Sequence, residues 1–153
     1  MSWIMNFLRP HRTIPSVPWG AKSRWDLSFQ RVAILIFGLT IFGFGDALIV
    51  QSHTGNAPWS VLAQGLSNRT GINMGEATFL ISAVILFLWW PLGERPGFGT
   101  LSNILVIAIA IQIGVSNFPV ANNFGVGVIY DLIGIALVGI GSAFYITCRF
   151  DIR

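Results

Sequence analysis

The sequence predicts an all-α membrane protein with four transmembrane helices, formed by one three-helix repeat and the first helix of an inverted second repeat. Its composition is 54% apolar and only 10% charged, whereas a soluble domain carries about 25% charged residues. Four long apolar segments follow one another along the chain, and a glycine pattern of the first segment returns in the fourth. Polar residues this scarce cannot cover a water-exposed surface, so the chain belongs in a bilayer.

The repeated pattern is gapless and has one constant offset of 96 positions, from Gly38 to Gly134. The matching residues are Gly38, Gly43, Gly45 and Ala47 in the first copy, and Gly134, Gly139, Gly141 and Ala143 in the second. Three apolar segments precede the second copy, which therefore starts from the opposite side of the membrane. Such an odd-helix duplication indicates an inverted-topology repeat, a common architecture of transporters. We expect the two glycine helices to pack closely, because small residues let backbones approach.

The first 31 residues are predicted to form a basic cytoplasmic tail. They contain five of the nine Lys and Arg residues of the chain. They lack the apolar core and the small-residue cleavage site of a secretory signal peptide. The tail therefore provides an orientation signal next to the first membrane span.

Apolar runs place the transmembrane helices at about 32–50, 77–92, 98–117 and 126–148 within a membrane domain of residues 32–148. Runs of this length approach or match the roughly 20 residues that cross a hydrocarbon core. A short helix is expected at about 57–69, because Pro58 favours the first helical position. This segment, with Gly55, Pro58 and Trp59 in its outer loop, is either an amphipathic surface helix or a half-helix whose N-terminus faces a substrate.

The charges predict that both termini are cytoplasmic in a bacterial inner membrane. This orientation puts eight of the nine basic residues inside, including those of the C-terminal segment 149–153, and only Arg69 outside. Cytoplasmic loops carry just such an excess of Lys and Arg.

Three polar residues interrupt the apolar spans at similar estimated depths near the outer surface: Asp46, Gln112 and Asp131. We considered that they converge into an ion-coupling layer, since intramembrane carboxylates often mark ion pathways. The alternative is structural, with Gln112 bonded to a neighbouring helix and the carboxylates reaching separate headgroup regions.

A turn between the second and third spans is the sharpest local motif. Its residues are Gly93, Glu94, Arg95, Pro96, Gly97, Gly99, Thr100 and Asn103. Pro96 is expected to stop one helix and Thr100 to cap the next. The turn is not a phosphate loop, because no Gly-Lys-Ser/Thr follows it. We interpret it as a hairpin between spans.

Catalytic, metal-binding and cofactor-binding patterns are absent from the sequence, so we expect no enzymatic activity. His11 and His53 fall on opposite sides of the bilayer in the predicted topology, and Cys148 is the single cysteine. The expected partner is the lipid bilayer rather than nucleic acid, because the basic residues flank spans instead of forming a patch.

Four patches of the sequence carry a family resemblance: the Gly38/Gly43/Gly45 helix, residues 55–71 with Pro58 and Trp59, the turn 92–103, and residues 139–146. With these patches the chain resembles the YczE-like family of uncharacterised bacterial membrane proteins, in the YczE, YyaS and YitT group, over about residues 31–148. The family usually has acidic residues near position 53 and after the Pro-Trp pair, where this chain has His53 and Ser60. The resemblance implies a polytopic inner-membrane protein whose second repeat is shortened here.

The repeat favours a function in transport of an unknown substrate. The chain would act as a homodimer or together with a second half. The alternatives are a membrane accessory or scaffold protein that transports nothing, and an inactive truncated paralogue. Hydropathy alone does not separate the first two.

Overall fold

The computed structural model describes residues 27–89, 91–92 and 96–148. Five helices cover most of this part of the chain, and no strand occurs in these ranges. The helices are α1 (Phe29–Ser52), α2 (Pro58–Thr70), α3 (Met74–Trp89), α4 (Phe98–Asn117) and α5 (Phe124–Cys148). The predicted all-α class is confirmed. The expected basic tail up to residue 26, the turn residues Gly93, Glu94 and Arg95, and the C-terminal segment 149–153 lie outside the described residues.

Three helices, α1, α4 and α5, are individually long and apolar enough to cross a membrane. The short helices α2 and α3 meet this test only as a pair, and they are bent by 115° at the break between them. The described chain therefore has three candidate spans, or up to four if the bent pair counts as one. At about 1.5 Å per residue, the 16 residues of α3 extend only about 24 Å.

Polar caps explain why two helices begin earlier than their apolar runs. The α3 start is fixed by a reciprocal pair, in which the Glu76 amide donates to Asn73 Oδ1 over 2.8 Å and the Asn73 amide donates to Glu76 Oε2 over 3.1 Å. This is the hydrogen-bond pattern of a capping box, with Asn in the place of Ser or Thr. At α5, the Val126 amide donates to Asn123 Oδ1 over 2.9 Å. Hydropathy averaging misses both starts because the capping residues are polar.

The predicted cap on α4 differs from the structure. The N-cap residue is Gly97, with no side-chain cap hydrogen bond, and Thr100 lies inside the first turn of the helix. The bounds of α4, Phe98–Asn117, nevertheless coincide with the predicted third span. An apolar residue, Phe98, thus begins the helix directly after the glycine.

The central helix of the bundle is α1, which packs most extensively against α5 and also against α4. Helix α3 packs on α4, and α2 packs on α3. Leu35 and Leu39 of α1 are buried in the core together with Ile107 and Ile111 of α4. Because α1 contacts two of the other long helices, its polar residues Asp46, Gln51 and Ser52 are buried.

The α1–α5 contact is built on four glycines that face each other in two reciprocal pairs. A Cβ atom added to Gly45 would lie 2.8 Å from the Gly134 oxygen, and one added to Gly134 would lie 2.7 Å from the Gly45 oxygen. The second pair behaves likewise, with 3.2 Å from Gly38 to the Gly141 oxygen and 2.6 Å from Gly141 to the Gly38 oxygen. Three of these distances are below 3.0 Å, which real Cβ atoms essentially never show, so the helices touch through backbone.

The remaining two glycines of the repeated pattern have different surroundings. A Cβ atom on Gly43 would lie 2.5 Å from the Ala110 Cβ of α4. Its sequence counterpart Gly139 has nothing within 4 Å and is exposed on α5. The first copy of the pattern thus has neighbours on both sides, whereas the second copy has only α1.

The break between α2 and α3 is a short turn centred on Gly71. Gly71 has φ +77°, in the left-handed region that favours glycine, and its amide donates to the Ser67 oxygen over 2.8 Å. The Ser67 hydroxyl in turn donates to the Ile72 carbonyl over 2.7 Å. These bonds satisfy the helix end and fix the sharp change of direction.

Candidate functional site

The site begins with a carboxylate inside the helix bundle. Asp46 of α1 is only 7% exposed, and Ser60 of α2 is 1% exposed. The Ser60 hydroxyl lies 2.9 Å from each of the two Asp46 carboxylate oxygens. A charge at this depth is costly unless it is paired or hydrogen-bonded, so the contact with Ser60 is a substantial part of what holds Asp46 here.

The N-terminal end of α2 brings Ser60 to the carboxylate. Helix α2 starts at Pro58, as the sequence predicts, and its N-cap Ala57 offers no side-chain hydrogen bond. A helix N-terminus carries partial positive charge and unsatisfied amide groups. Asp46 therefore supplies the negative charge beside an end that the local sequence leaves uncapped.

A cavity of about 250 Å³ opens in front of Asp46 and Ser60. All five helices contribute to its walls. The lining residues are Phe42, Asp46, Ile49, Ala57, Trp59, Ser60, Thr78, Ser82, Asn103, Ile104, Ile107 and Val138. Asp46 is the only one of these residues with an ionisable side chain, so any formal charge of the cavity wall is negative.

Polar groups from α3 and α4 line the same cavity as Asp46. Thr78 and Ser82 lie four residues apart on α3, and Asn103 lies on α4. The Thr78 hydroxyl donates to the Met74 carbonyl over 2.9 Å, which leaves its oxygen able to accept. The sequence placed Asn103 in the turn motif, but it lines the cavity five residues after the start of α4.

Gln112 lies in a different place, an open groove of about 660 Å³ between α3 and α4. Its Oε1 accepts from the Gly75 amide over 3.0 Å, and its Nε2 donates to the Ser116 hydroxyl over 3.0 Å. A Cβ on Gly75 would lie 2.5 Å from the Ala108 oxygen, so the two helices touch closely at this point. Gln112 therefore links α4 to the first turn of α3.

Asp131 lies near the start of α5, beside the segment that follows α1. Its Oδ2 accepts a hydrogen bond from the Thr54 hydroxyl. Thr54 also contacts Ser52, with 3.1 Å between the two hydroxyl oxygens. The second carboxylate oxygen, Oδ1, is buried and has no hydrogen-bond partner within the described part of the chain.

Within the described part of the chain, no hydrogen bond joins Asp46, Gln112 and Asp131 to one another. Their hydrogen bonds go to Ser60, to Gly75 with Ser116, and to Thr54, respectively. The similar depths estimated from the sequence therefore do not make the three residues hydrogen-bond partners. The residues that share a cavity with Asp46 include small hydroxyl and amide side chains. The i, i+4 spacing of Thr78 and Ser82 along α3 is the sequence signal that marks two of them.

The outer-loop residues that the sequence singled out divide in the same way. Trp59 is 40% exposed and lines the cavity. Pro58 begins α2, whereas Gly55 has nothing within 4 Å of an added Cβ. Of these three residues, only Trp59 thus lines the cavity.

Comparison with known proteins shows the family of this chain. Residues 29–152 match the model of a family of unknown function, DUF6198. The chain belongs to this family. The matched range covers all five helices, including every residue of the Asp46 cavity.

Three relatives agree with this family membership. An uncharacterised protein of Haemophilus influenzae is 42% identical over 138 residues, which are 90% of this chain and 63% of the relative. The uncharacterised protein YyaS of Bacillus subtilis is 30% identical over 74% of this chain and 58% of its own length. The uncharacterised membrane protein YczE of the same organism is 26% identical over 81% of this chain and 55% of its own. The predicted YczE-like resemblance is confirmed.

The chain spans between 55% and 63% of the length of these relatives. No solved structure matches it significantly. The comparisons therefore establish a family without an assigned activity, and one of the three relatives is described as a membrane protein.

Proposed function

We propose that this chain is a transport-type unit of the bacterial inner membrane and that the Asp46 cavity is its solute site. One observation carries the proposal: the N-terminal end of a short helix in a bent pair meets a buried carboxylate in a cavity between the helices. Transporters commonly bind solutes and coupling ions where a discontinuous helix ends inside the membrane. Intramembrane carboxylates are costly and are typically functional.

The reciprocal glycine contacts support an inverted repeat within this unit. A shift of 96 residues converts the Gly38–Gly141 pair into the Gly134–Gly45 pair. A local twofold axis in the membrane plane relates two helices in this way when one repeat is inverted relative to the other. In this arrangement α2 and α3 together count as one bent span, and the unit has four spans with both termini in the cytoplasm. Eight of the nine basic residues are then inside.

The unit is proposed to act as a homodimer or with a second half, and without enzymatic activity. Only 17% of the most apolar stretch of α5 is buried, compared with 39% in α1 and in α4. The exposed Gly139 is the counterpart of Gly43, which packs on Ala110 of α4. A second membrane unit that covers this side of α5 would give both copies of the glycine pattern the same surroundings.

Metabolite profiling of a deletion strain tests the transport role without assuming a substrate. The strain is complemented with the wild type, with Asp46→Asn, or with Asp131→Asn as a matched carboxylate control outside the cavity. We expect a changed metabolite pool that the wild type and Asp131→Asn restore and that Asp46→Asn does not, although all three reach equal amounts in the membrane. Restoration by Asp46→Asn as complete as by the wild type would exclude the cavity as the solute site and favour the accessory or scaffold role.

A further inference from the structure

We propose that the solute of the Asp46 cavity is a small organic ammonium ion. Its ammonium group would lie at Asp46 and its carbon skeleton against the apolar wall. This ligand class rests on the proposed function for the role of the cavity, and it goes further by assigning the charge, size and polarity of what binds there.

The sign of the ligand follows from the hydrogen bonding of Asp46. An ionised carboxylate offers about four acceptor positions. Within the described chain, Ser60 is the one residue that donates to it, through a single hydroxyl. An ammonium group brings up to three donors and a compensating charge. Because an uncompensated buried charge is costly, a cation gains more from this cavity than a neutral solute does.

An anion is excluded by the same geometry. The partial positive charge at the start of α2 would attract an anion, but Asp46 already occupies that place through Ser60. The remaining polar wall of Thr78, Ser82 and Asn103 carries no positive charge. A second negative charge would therefore meet Asp46 without a counter-charge.

The size and the walls favour an organic cation over a bare metal ion. The cavity holds about 250 Å³, whereas one water molecule occupies about 30 Å³ in the liquid. Hard metal cations such as Mg²⁺ and Ca²⁺ require a shell of six or more oxygen ligands. Much of the wall is instead hydrocarbon, from Phe42, Ile49, Ile104, Ile107 and Val138. A short alkyl chain can pack against this apolar wall, whereas a bare ion would leave the wall in contact with water.

The indole of Trp59 adds a second feature that suits a cation. Trp59 lines the cavity next to Ser60 in the first turn of α2. Among aromatic side chains, tryptophan attracts a cation placed over its ring most strongly. Its position at the cavity also makes its fluorescence a reporter of binding.

Binding to the detergent-purified full chain tests the ligand class. The probes are n-butylammonium, n-butanol as its neutral analogue, butyrate as its anionic analogue, and potassium. We expect n-butylammonium to raise the thermal midpoint in a concentration-dependent way and to change tryptophan fluorescence, with no comparable effect of the other three. Equal stabilisation by butanol or butyrate would overturn the proposal, and equal stabilisation by potassium would overturn the organic part of it.

Variants locate the effect. Asp46→Asn should weaken n-butylammonium binding at least tenfold, and Asp131→Asn should leave it unchanged. Ser82→Phe fills the cavity from α3 and keeps the carboxylate, so it should weaken n-butylammonium binding by a similar factor. This variant tests the location of the binding site if Asp46→Asn does not fold. Unchanged affinity in a folded Asp46→Asn or Ser82→Phe protein would place the binding elsewhere and refute the proposal.

The binding measurement fails independently of the transport test. Binding that depends on Asp46, together with full restoration of the metabolite pool by Asp46→Asn, would support the ligand class and refute transport. Conversely, transport that depends on Asp46 without n-butylammonium binding would support the proposed function and refute the ligand class.

Discussion

Gly45 of α1 and Gly134 of α5 lie against each other's backbone, each occupying the space that a side chain on the other would need. The distances from an added Cβ to the opposite carbonyl oxygen are 2.8 and 2.7 Å. Apolar side chains gain little from burial against each other in lipid, so close van der Waals packing drives helix association there. The contact therefore holds α5 on α1 by shape rather than by hydrophobicity.

Replacing Gly45 by Leu should prevent this contact and lower the yield of folded protein in membranes. The Cβ alone would come within 2.8 Å of backbone, which cannot move aside without shifting the whole helix. Gly139→Leu is the matched control, since it adds the same side chain to α5 at a position with nothing within 4 Å. The measurement is the fraction extracted as a monodisperse species in mild detergent.

Gly45→Leu tests the contact between α1 and α5, and Gly139→Leu tests an interface between membrane units. A normal yield of Gly45→Leu would contradict the glycine contact. Gly139→Leu should fold as a unit, so loss of an oligomer without loss of the folded protein would identify Gly139 as part of an interface between membrane units.

Replacing Ser60 by Ala should destabilise the protein by about 1–3 kcal/mol, the usual cost of leaving a buried polar group without its partner. Both oxygens of Asp46 would lose their 2.9 Å contact with the hydroxyl. The same change in an Asp46→Asn background should cost less, because a neutral amide is easier to bury than a carboxylate. A double-mutant cycle of thermal or denaturant unfolding in detergent measures the difference. Additive effects would show that the Ser60–Asp46 contact contributes no coupling.

Replacing Glu76 by Ala should loosen the start of α3 and cost roughly 0.5–2 kcal/mol, in the range of a lost N-terminal cap. In the wild type, the Asn73 amide donates to Glu76 Oε2 over 3.1 Å, and the variant removes this acceptor. Asn68→Ala, at an exposed position of α2, is the control for loss of a surface polar group. Hydrogen exchange of the first turn of α3 reports the effect locally, and unchanged protection there would argue against the cap.

The positions of the helices could be predicted from the sequence because hydropathy varies along the chain and needs no three-dimensional information. The start of α2 at Pro58 and the whole of α4 were predictable for this reason. The start of α3 was not, although Asn73 and Glu76 have the spacing of a capping box. A polar pair just before an apolar run is easily assigned to the preceding loop.

The site was less predictable because depth does not determine direction. Counting residues placed Asp46 and Asp131 at similar heights, but the rotation of each helix about its axis decides what its side chain meets. Asp46 meets Ser60 of α2, and Asp131 meets Thr54 after α1. The cavity itself depends on the 115° bend between α2 and α3, a tertiary feature that hydropathy does not encode.

The last prediction concerns the orientation of this bend in the membrane. With the N-terminus inside, α1 ends on the outer side. The turn between α2 and α3 should then face the periplasm, together with Arg69 near its start. An Arg69→Cys variant should react in intact spheroplasts with a membrane-impermeant maleimide. The natural Cys148, which is buried at the end of α5, should not. Ser60→Cys is the matched comparison at the other end of the same helix, where the side chain is 1% exposed, and it should react much more slowly.

An alkaline phosphatase fused after Arg153 should be inactive in the same cells, because the C-terminus is then cytoplasmic. An active fusion, or labelling of Arg69→Cys only after lysis, would reverse the proposed orientation, whereas fast labelling of Ser60→Cys would mean that the start of α2 is open to the periplasm.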